Sequence, residues 1–226
     1  MSSSRAESTY SEIVVVLALA FGNSVFISLM VLFGALSFNP VILTPERVMG
    51  IVVGEILMAV CIVWFLRSKG WILADFNLGI TWKSTGTGAL LAIASMGASY
   101  VLRHALNFFA INIDTEVLRY AASDWSLYSA LILCLINPIY EEAVVVGYLM
   151  TVFADPKNPA KALNISVGVR LLYHLYQGPA ALITIFPMGL LFSFYYLRRG
   201  KLWPLIFAHA LMDVSWFAIK HYYAGV

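Results

Sequence analysis

The stretch IVVVLALAFGNSVFISLMVLFGALSF, residues 13–38, decides the fold, because it runs 26 residues without one charged side chain. A helix that crosses a bilayer needs about 20 predominantly apolar residues at 1.5 Å rise per residue. This run exceeds that. Ala18-Leu19-Ala20 has the form of a signal-peptide cleavage site, but only five strongly apolar residues precede it and the run continues well beyond. A cleaved signal has a basic start and a shorter apolar stretch, so an uncleaved helix is expected. The whole chain agrees: of its 226 residues 61% are apolar and 12% charged, and mean hydropathy is +0.84. Soluble domains carry roughly 45–50% apolar and about 25% charged residues. An ordinary soluble enzyme is excluded, and so is intrinsic disorder.

Further runs follow at membrane-crossing length. Residues 48–66 are interrupted only by Glu55, and residues 84–102 end at Arg103 and His104. Residues 105–124 are mixed and read as interfacial. Residues 125–154 would reach about 45 Å as one helix, and Pro138 in their middle is expected to kink or break it. From residue 160 to 197 the chain is apolar except for Lys161, Arg170 and His174, and Gly178-Pro179 divides it in two. Residues 202–219 close the series with His209 and Asp213. The expected fold is an all-α polytopic transmembrane bundle of about seven spans. Residues 1–12 form a polar N-terminal segment and residues 13–226 one integral membrane domain, with its functional core at about 120–220.

Seven spans place the N-terminus and the loops at 67–83, 155–161 and 198–201 on one side. Those segments hold nine of the 14 Lys and Arg residues, against four on the opposite side. By the positive-inside rule the N-terminus is expected in the cytoplasm. Net charge is +2 with no basic block, which leaves no electrostatic footprint for nucleic acid. Cys61 and Cys134 both lie in apolar runs, so neither a disulfide framework nor a cysteine-based zinc site is expected.

A charge at the bilayer centre costs about 2.5–3.5 kcal/mol on insertion scales. Even so, Glu55, Glu141, Glu142, Arg170, His174, His209 and Asp213 fall in or near the spans, six of the seven in the second half. Convergence on one buried polar site explains that cost better than scatter does. His209 and Asp213 are four apart and share a helix face, as do Arg170 and His174. Glu141 and Glu142 are adjacent, so their side chains diverge by about 100° and are not expected to aim at one atom. One of them should face the reaction centre while the other orients it.

A carboxylate with two histidines in a dry site suits two chemistries. Glu and His together can deprotonate water for attack on a carbonyl. Alternatively, Glu141, His174 and His209 match the ligand count of a catalytic site for a divalent metal such as zinc. The H-E-x-x-H spacing of zinc proteases is absent, so no cofactor is required by the sequence, and the metal-free chemistry is the favoured one.

Three motifs then carry a resemblance to a known family, the CAAX-protease and bacteriocin-processing (CPBP, or Abi) intramembrane endopeptidases. NPIYEEAVVVGYLM resembles the first, a Glu-Glu pair followed by Gly-Tyr-Leu; VRLLYHLYQGP resembles the second, with its His at 174; KLWPLIFAHALMD resembles the third, at His209 and Asp213. The resemblance covers about residues 120–220, and the first 110 residues match only as apolar helices. It implies Glu141 as general base, His174 as its partner in holding and activating water, and His209 with Asp213 as an oxyanion-stabilising or positioning pair. Glu142 would support them. The implied substrate is a membrane-associated peptide or protein, in contact with the lipid bilayer. The family was long described as metalloproteases, which keeps the metal reading open.

One departure stands out. The family's first motif usually ends in Arg where this chain has Val146, and the second usually has Phe where this chain has Arg170. Arg170 is expected to supply from the neighbouring helix the cation that Val146 lacks.

Simpler readings compete. The Glu pair could be helix-end charges in the headgroup region, His174 part of an interfacial aromatic belt, His209 with Asp213 a structural pair, and Arg170 a snorkelling charge. Two other functions also compete. One is a non-catalytic family member acting as an immunity or scaffold protein, which Val146 favours. The other is a proton-coupled transporter, which the lack of repeat symmetry disfavours.

Overall fold

The computed structural model describes residues 10–37, 44–109 and 127–224, and these are helical with short connections. The elements are α1 (Tyr10–Leu32), α2 (Pro45–Ser68), a 3₁₀ turn (Leu73–Phe76), α3 (Trp82–Phe108), α4 (Leu127–Glu142), a π-helical segment (Ala143–Tyr148), α5 (Leu149–Val152), α6 (Pro159–His174), α7 (Pro179–Arg199) and α8 (Trp203–Ala224). Five described helices are long and apolar enough to cross a membrane: α1, α2, α3, the continuous rod at Tyr128–Val152, and α7. The chain is a helical integral membrane protein. The other two helices miss that length for separate reasons. α6 has 16 residues, about 24 Å, and carries Lys161 and Arg170. The apolar part of α8 described here spans Trp203–Ile219.

Local chemistry sets the boundaries. Thr44 caps α2, its Oγ1 accepting from the Arg47 N–H at 3.3 Å, and Pro45 opens the helix where its missing N–H costs nothing. Gly178, at φ +87°, turns the chain from α6 into α7, which again starts with a proline. α1 begins at Tyr10 and buries Glu12, so the described part of the polar segment 1–12 belongs to the first helix. There Glu12 Oε1 accepts from Trp71 Nε1 at 3.2 Å and from the Tyr148 hydroxyl at 3.0 Å. α3 extends through residue 108, and the rest of the expected interfacial stretch lies outside the described residues apart from Phe109.

Pro138 does not break the helix. α4 continues through it to Glu142 and widens into the π segment only afterwards. α7 likewise contains Pro187. A packed helix tolerates the lost bond because neighbouring helices hold its direction. The π segment AVVVGY joins a β-branched run to glycine, both weak α-formers. It gains a bond from outside, since Ser166 Oγ on α6 donates to the Val145 carbonyl at 2.9 Å and Ser193 Oγ on α7 donates to Ser166 Oγ at 3.1 Å.

The Tyr128–Val152 rod and α7 are central. Each buries 56% of its most apolar window within the protein, whereas α1, α2 and α3 bury 11–22% and turn their apolar faces outward. α2 packs on α4, α6 on α7, α4 on α8, and α3 on both α7 and α8. The α3–α8 approach is close because Gly88 leaves no Cβ; one built there would sit 2.6 Å from the Pro204 carbonyl oxygen. The 67–83 loop docks on the turn after α7, with the Leu202 and Trp203 N–H groups donating to the carbonyls of Asn77 and Leu78. Those two connections therefore share one end of the bundle, as their basic residues suggested.

Candidate active site

Glu141 and Glu142 occupy the last turn of α4, immediately before the π segment, and are 6% and 0% exposed. They are interior residues and not charges exposed at a helix end. Glu142 is fully engaged. Its Oε2 receives Arg170 Nη2 at 2.6 Å, and its Oε1 lies 2.7 Å from His209 Nδ1. A carboxylate accepts, so His209 Nδ1 carries the hydrogen.

Glu141 faces the other way around the helix. Its Oε2 accepts from the Tyr173 hydroxyl at 2.7 Å and stands 3.5 Å from Arg170 Nη1. Its Oε1 accepts from Asn137 Nδ2 at 3.2 Å and lies 3.8 Å from His174 Nε2. His174 Nδ1 is 3.0 Å from the Arg170 carbonyl, one turn back on α6. A carbonyl only accepts, which puts a hydrogen on Nδ1 and, in the neutral ring, leaves the Nε2 lone pair facing Glu141.

Arg170 joins the two carboxylates. At 1% exposure it is among the most deeply buried side chains described, so it does not snorkel. Gly189 on α7 makes its room: a Cβ there would lie 3.1 Å from Arg170 Cδ. Val146 has no exposed surface and sits in an apolar cluster with Met188, Phe192 and Leu205. The permanent cation beside the Glu pair therefore comes from α6.

His209 is 6% exposed, and its Nε2 faces Asp213 Oδ2 at 3.7 Å. All six candidate residues thus gather around the Glu pair, contributed by α4, α6 and α8. From the basic-loop ends of those helices the site lies roughly 10–20 Å along the helix axes, counted at 1.5 Å per residue.

Two expectations need correction. Glu141 and Glu142 diverge along the helix, yet one oxygen of each lies, with a His209 nitrogen, inside a group whose members are all within 4.8 Å of one another. Side-chain length overcomes the angle. The group that could hold a metal ion is accordingly Glu141, Glu142 and His209 rather than Glu141, His174 and His209. Its donors suit a divalent cation, but Arg170 already places a permanent charge against both carboxylates.

Tyr173, Asn137 and the partner of Glu55 were not anticipated. Tyr173 adjoins His174, and its ring stacks on Phe21 of α1 at 4.0 Å between centroids, with planes 3° apart. Asn137 lies one turn before Glu141, and its Nδ2 also donates to Glu55 Oε1 on α2 at 2.8 Å. The i, i+4 spacing of Asn137 and Glu141 was the available signal.

With this geometry in hand, comparison with known families is informative. Residues 123–215 match the family model described as type II CAAX prenyl endopeptidase Rce1-like. Over that stretch, less than half of the chain, the protein is similar to the CAAX-protease family. The matched stretch contains every residue of the site just described except Glu55. Neither the curated proteins nor the solved structures give a match. The similarity to a membrane endopeptidase family agrees with the long apolar helices of an integral membrane protein.

Proposed function

We propose that this protein, similar to the CAAX-protease family over residues 123–215, hydrolyses a peptide bond of a membrane-associated protein or peptide with a water activated by Glu141 and His174. The observation that supports it most is the pairing of Glu141 Oε1 with the accepting face of His174 at 3.8 Å. A water between them can donate one hydrogen to each, which leaves its oxygen lone pairs free to attack. As oxygen bonds to the carbonyl carbon, Glu141 takes the proton. When the C–N bond breaks, it returns that proton to the leaving amine. His209 has a carboxylate on either side, so both ring nitrogens can carry hydrogen. Nε2–H then stabilises the oxyanion, with Glu142 holding the ring through Nδ1 and the Asp213 charge 3.7 Å from Nε2 favouring the protonated ring.

Glu142 has both oxygens occupied and acts as an anchor, not as the base. Arg170 balances the two glutamates and leaves Glu141 able to accept a proton without a second cation. Should a divalent metal bind, Glu141, Glu142 and His209 would hold it, and it would polarise the scissile carbonyl. The buried guanidinium against the same carboxylates favours the metal-free route.

Residues 13–226 act as one membrane domain, with the N-terminus on the cytoplasmic side as the charge bias indicates. The non-catalytic reading rested on Val146, and Arg170 fills the role that Val146 leaves. Cleavage assays of wild type and Glu141→Gln, reconstituted with membrane-protein substrates, test the function. Cleavage that depends on Glu141 supports it, and equal cleavage by both proteins refutes it.

A further inference from the structure

Glu55 lies on α2, outside the family match, and the chemistry above does not use it. It is nevertheless tied to the site. The single amide nitrogen of Asn137 donates one hydrogen to Glu55 Oε1 at 2.8 Å and the other to Glu141 Oε1 at 3.2 Å. The amide orientation follows from its partners, because a carbonyl turned toward two carboxylates would find no donors. Glu55 Oε2 is buried without a hydrogen-bond partner. Glu55 Oε1 is an acceptor in either protonation state of the carboxyl group, so it can hold the Asn137 amide in one orientation.

We propose that Glu55 is a positioning residue that acts through Asn137. It holds the asparagine amide so that its second hydrogen fixes Glu141 Oε1, the oxygen facing His174. Oε1 is the oxygen assigned to proton transfer, so a rotation of that carboxylate would separate the base from the water. The geometry accounts for Glu55 and Asn137 together. This inference rests on the proposed role of Glu141.

Glu55 also borders an open apolar groove of about 500 Å³ between α2 and α4, with Ile56, Val60, Val63 and Ile139 among its walls. A residue that only lines a substrate path would change KM. A positioning residue changes kcat.

The test is steady-state kinetics on purified full-length protein in lipid nanodiscs, with wild type, Glu141→Gln, Glu55→Gln, Glu55→Leu, Asn137→Leu and the Glu55→Leu/Asn137→Leu pair. A lost orienting hydrogen bond to a charged group corresponds to about a tenfold to hundredfold fall in rate. The expected order of kcat at position 55 places both Glu and Gln above Leu. Gln, which keeps an acceptor for Asn137, stays within about threefold of wild type and Leu falls at least about tenfold, with KM within about twofold. The double variant should be no slower than the slower single variant. If Glu55→Leu does not fold, Glu55→Ala takes its place: a lower kcat at unchanged KM supports the proposal, and an unchanged kcat overturns it. Losses that multiply in the double variant, or a raised KM at constant kcat, also overturn it. Glu141→Gln separates the two levels. Full cleavage by that variant refutes the base assignment, and the positioning role falls with it. Glu141-dependent cleavage with kcat indifferent to residue 55 refutes the positioning role alone.

Discussion

Replacing Arg170 by Met removes the one permanent cation beside two buried carboxylates while keeping much of its volume. The guanidinium stands 2.6 Å from Glu142 and 3.5 Å from Glu141 and is 1% exposed. Breaking a buried ion pair by deleting one partner costs about 3–5 kcal/mol, because the remaining charge stays buried. Here three hydrogen bonds survive the change: His209 to Glu142 at 2.7 Å, and Tyr173 and Asn137 to Glu141 at 2.7 Å and 3.2 Å. The loss should therefore fall near the lower end, about 3 kcal/mol. For a chain of this size that corresponds to a Tm lower by about 6–12 °C. Thermal unfolding in detergent micelles, followed by tryptophan fluorescence, measures it. Adding Glu142→Gln removes one of the uncompensated charges, so the double variant should recover at least about 1 kcal/mol relative to Arg170→Met alone. A Tm within about 2 °C of wild type for Arg170→Met, or a double variant whose losses simply add, would refute the claim that Arg170 bridges the pair.

Other consequences follow from the same geometry. Tyr173→Phe deletes the hydroxyl that holds Glu141 Oε2 and should lower kcat about tenfold with little change in Tm; an unchanged kcat contradicts that role. Gly189→Val puts methyl groups where Arg170 Cδ lies, and thermal unfolding should show a loss of about 1–3 kcal/mol. Exhaustive chelation should leave proteolysis intact, since Arg170 supplies the site's cation; activity lost to chelator and restored by zinc would show that a metal does the work.

The sequence carried the membrane fold because uncharged runs of 20 residues or more have few other uses. It also pointed to six ionisable residues that the structure brings together, since such a group inside an apolar run is costly. Spacing along one helix was readable for His209 with Asp213. What spacing could not supply was the register between helices. Tyr173 meets Glu141, and Asn137 meets Glu55, only because α6 packs on the π segment and α2 packs on α4 at one particular height. Glu12 read as part of a polar tail because nothing nearby in sequence names Trp71 and Tyr148 as its partners. Pro138 read as a kink or break because local rules count the lost hydrogen bond but not the neighbours against which the helix continues. The π segment left no clear mark beyond its valine run and glycine, and the bond to the Val145 carbonyl comes from Ser166, some 20 residues further on.

The central claim is that Glu141 activates water for peptide-bond hydrolysis within the bundle. The most direct measurement compares newly formed protein N-termini in membranes from cells carrying wild type and Glu141→Gln at equal abundance. The account predicts a set of N-termini present only with wild type, derived from membrane-associated proteins. Identical N-termini in the two membranes would contradict it.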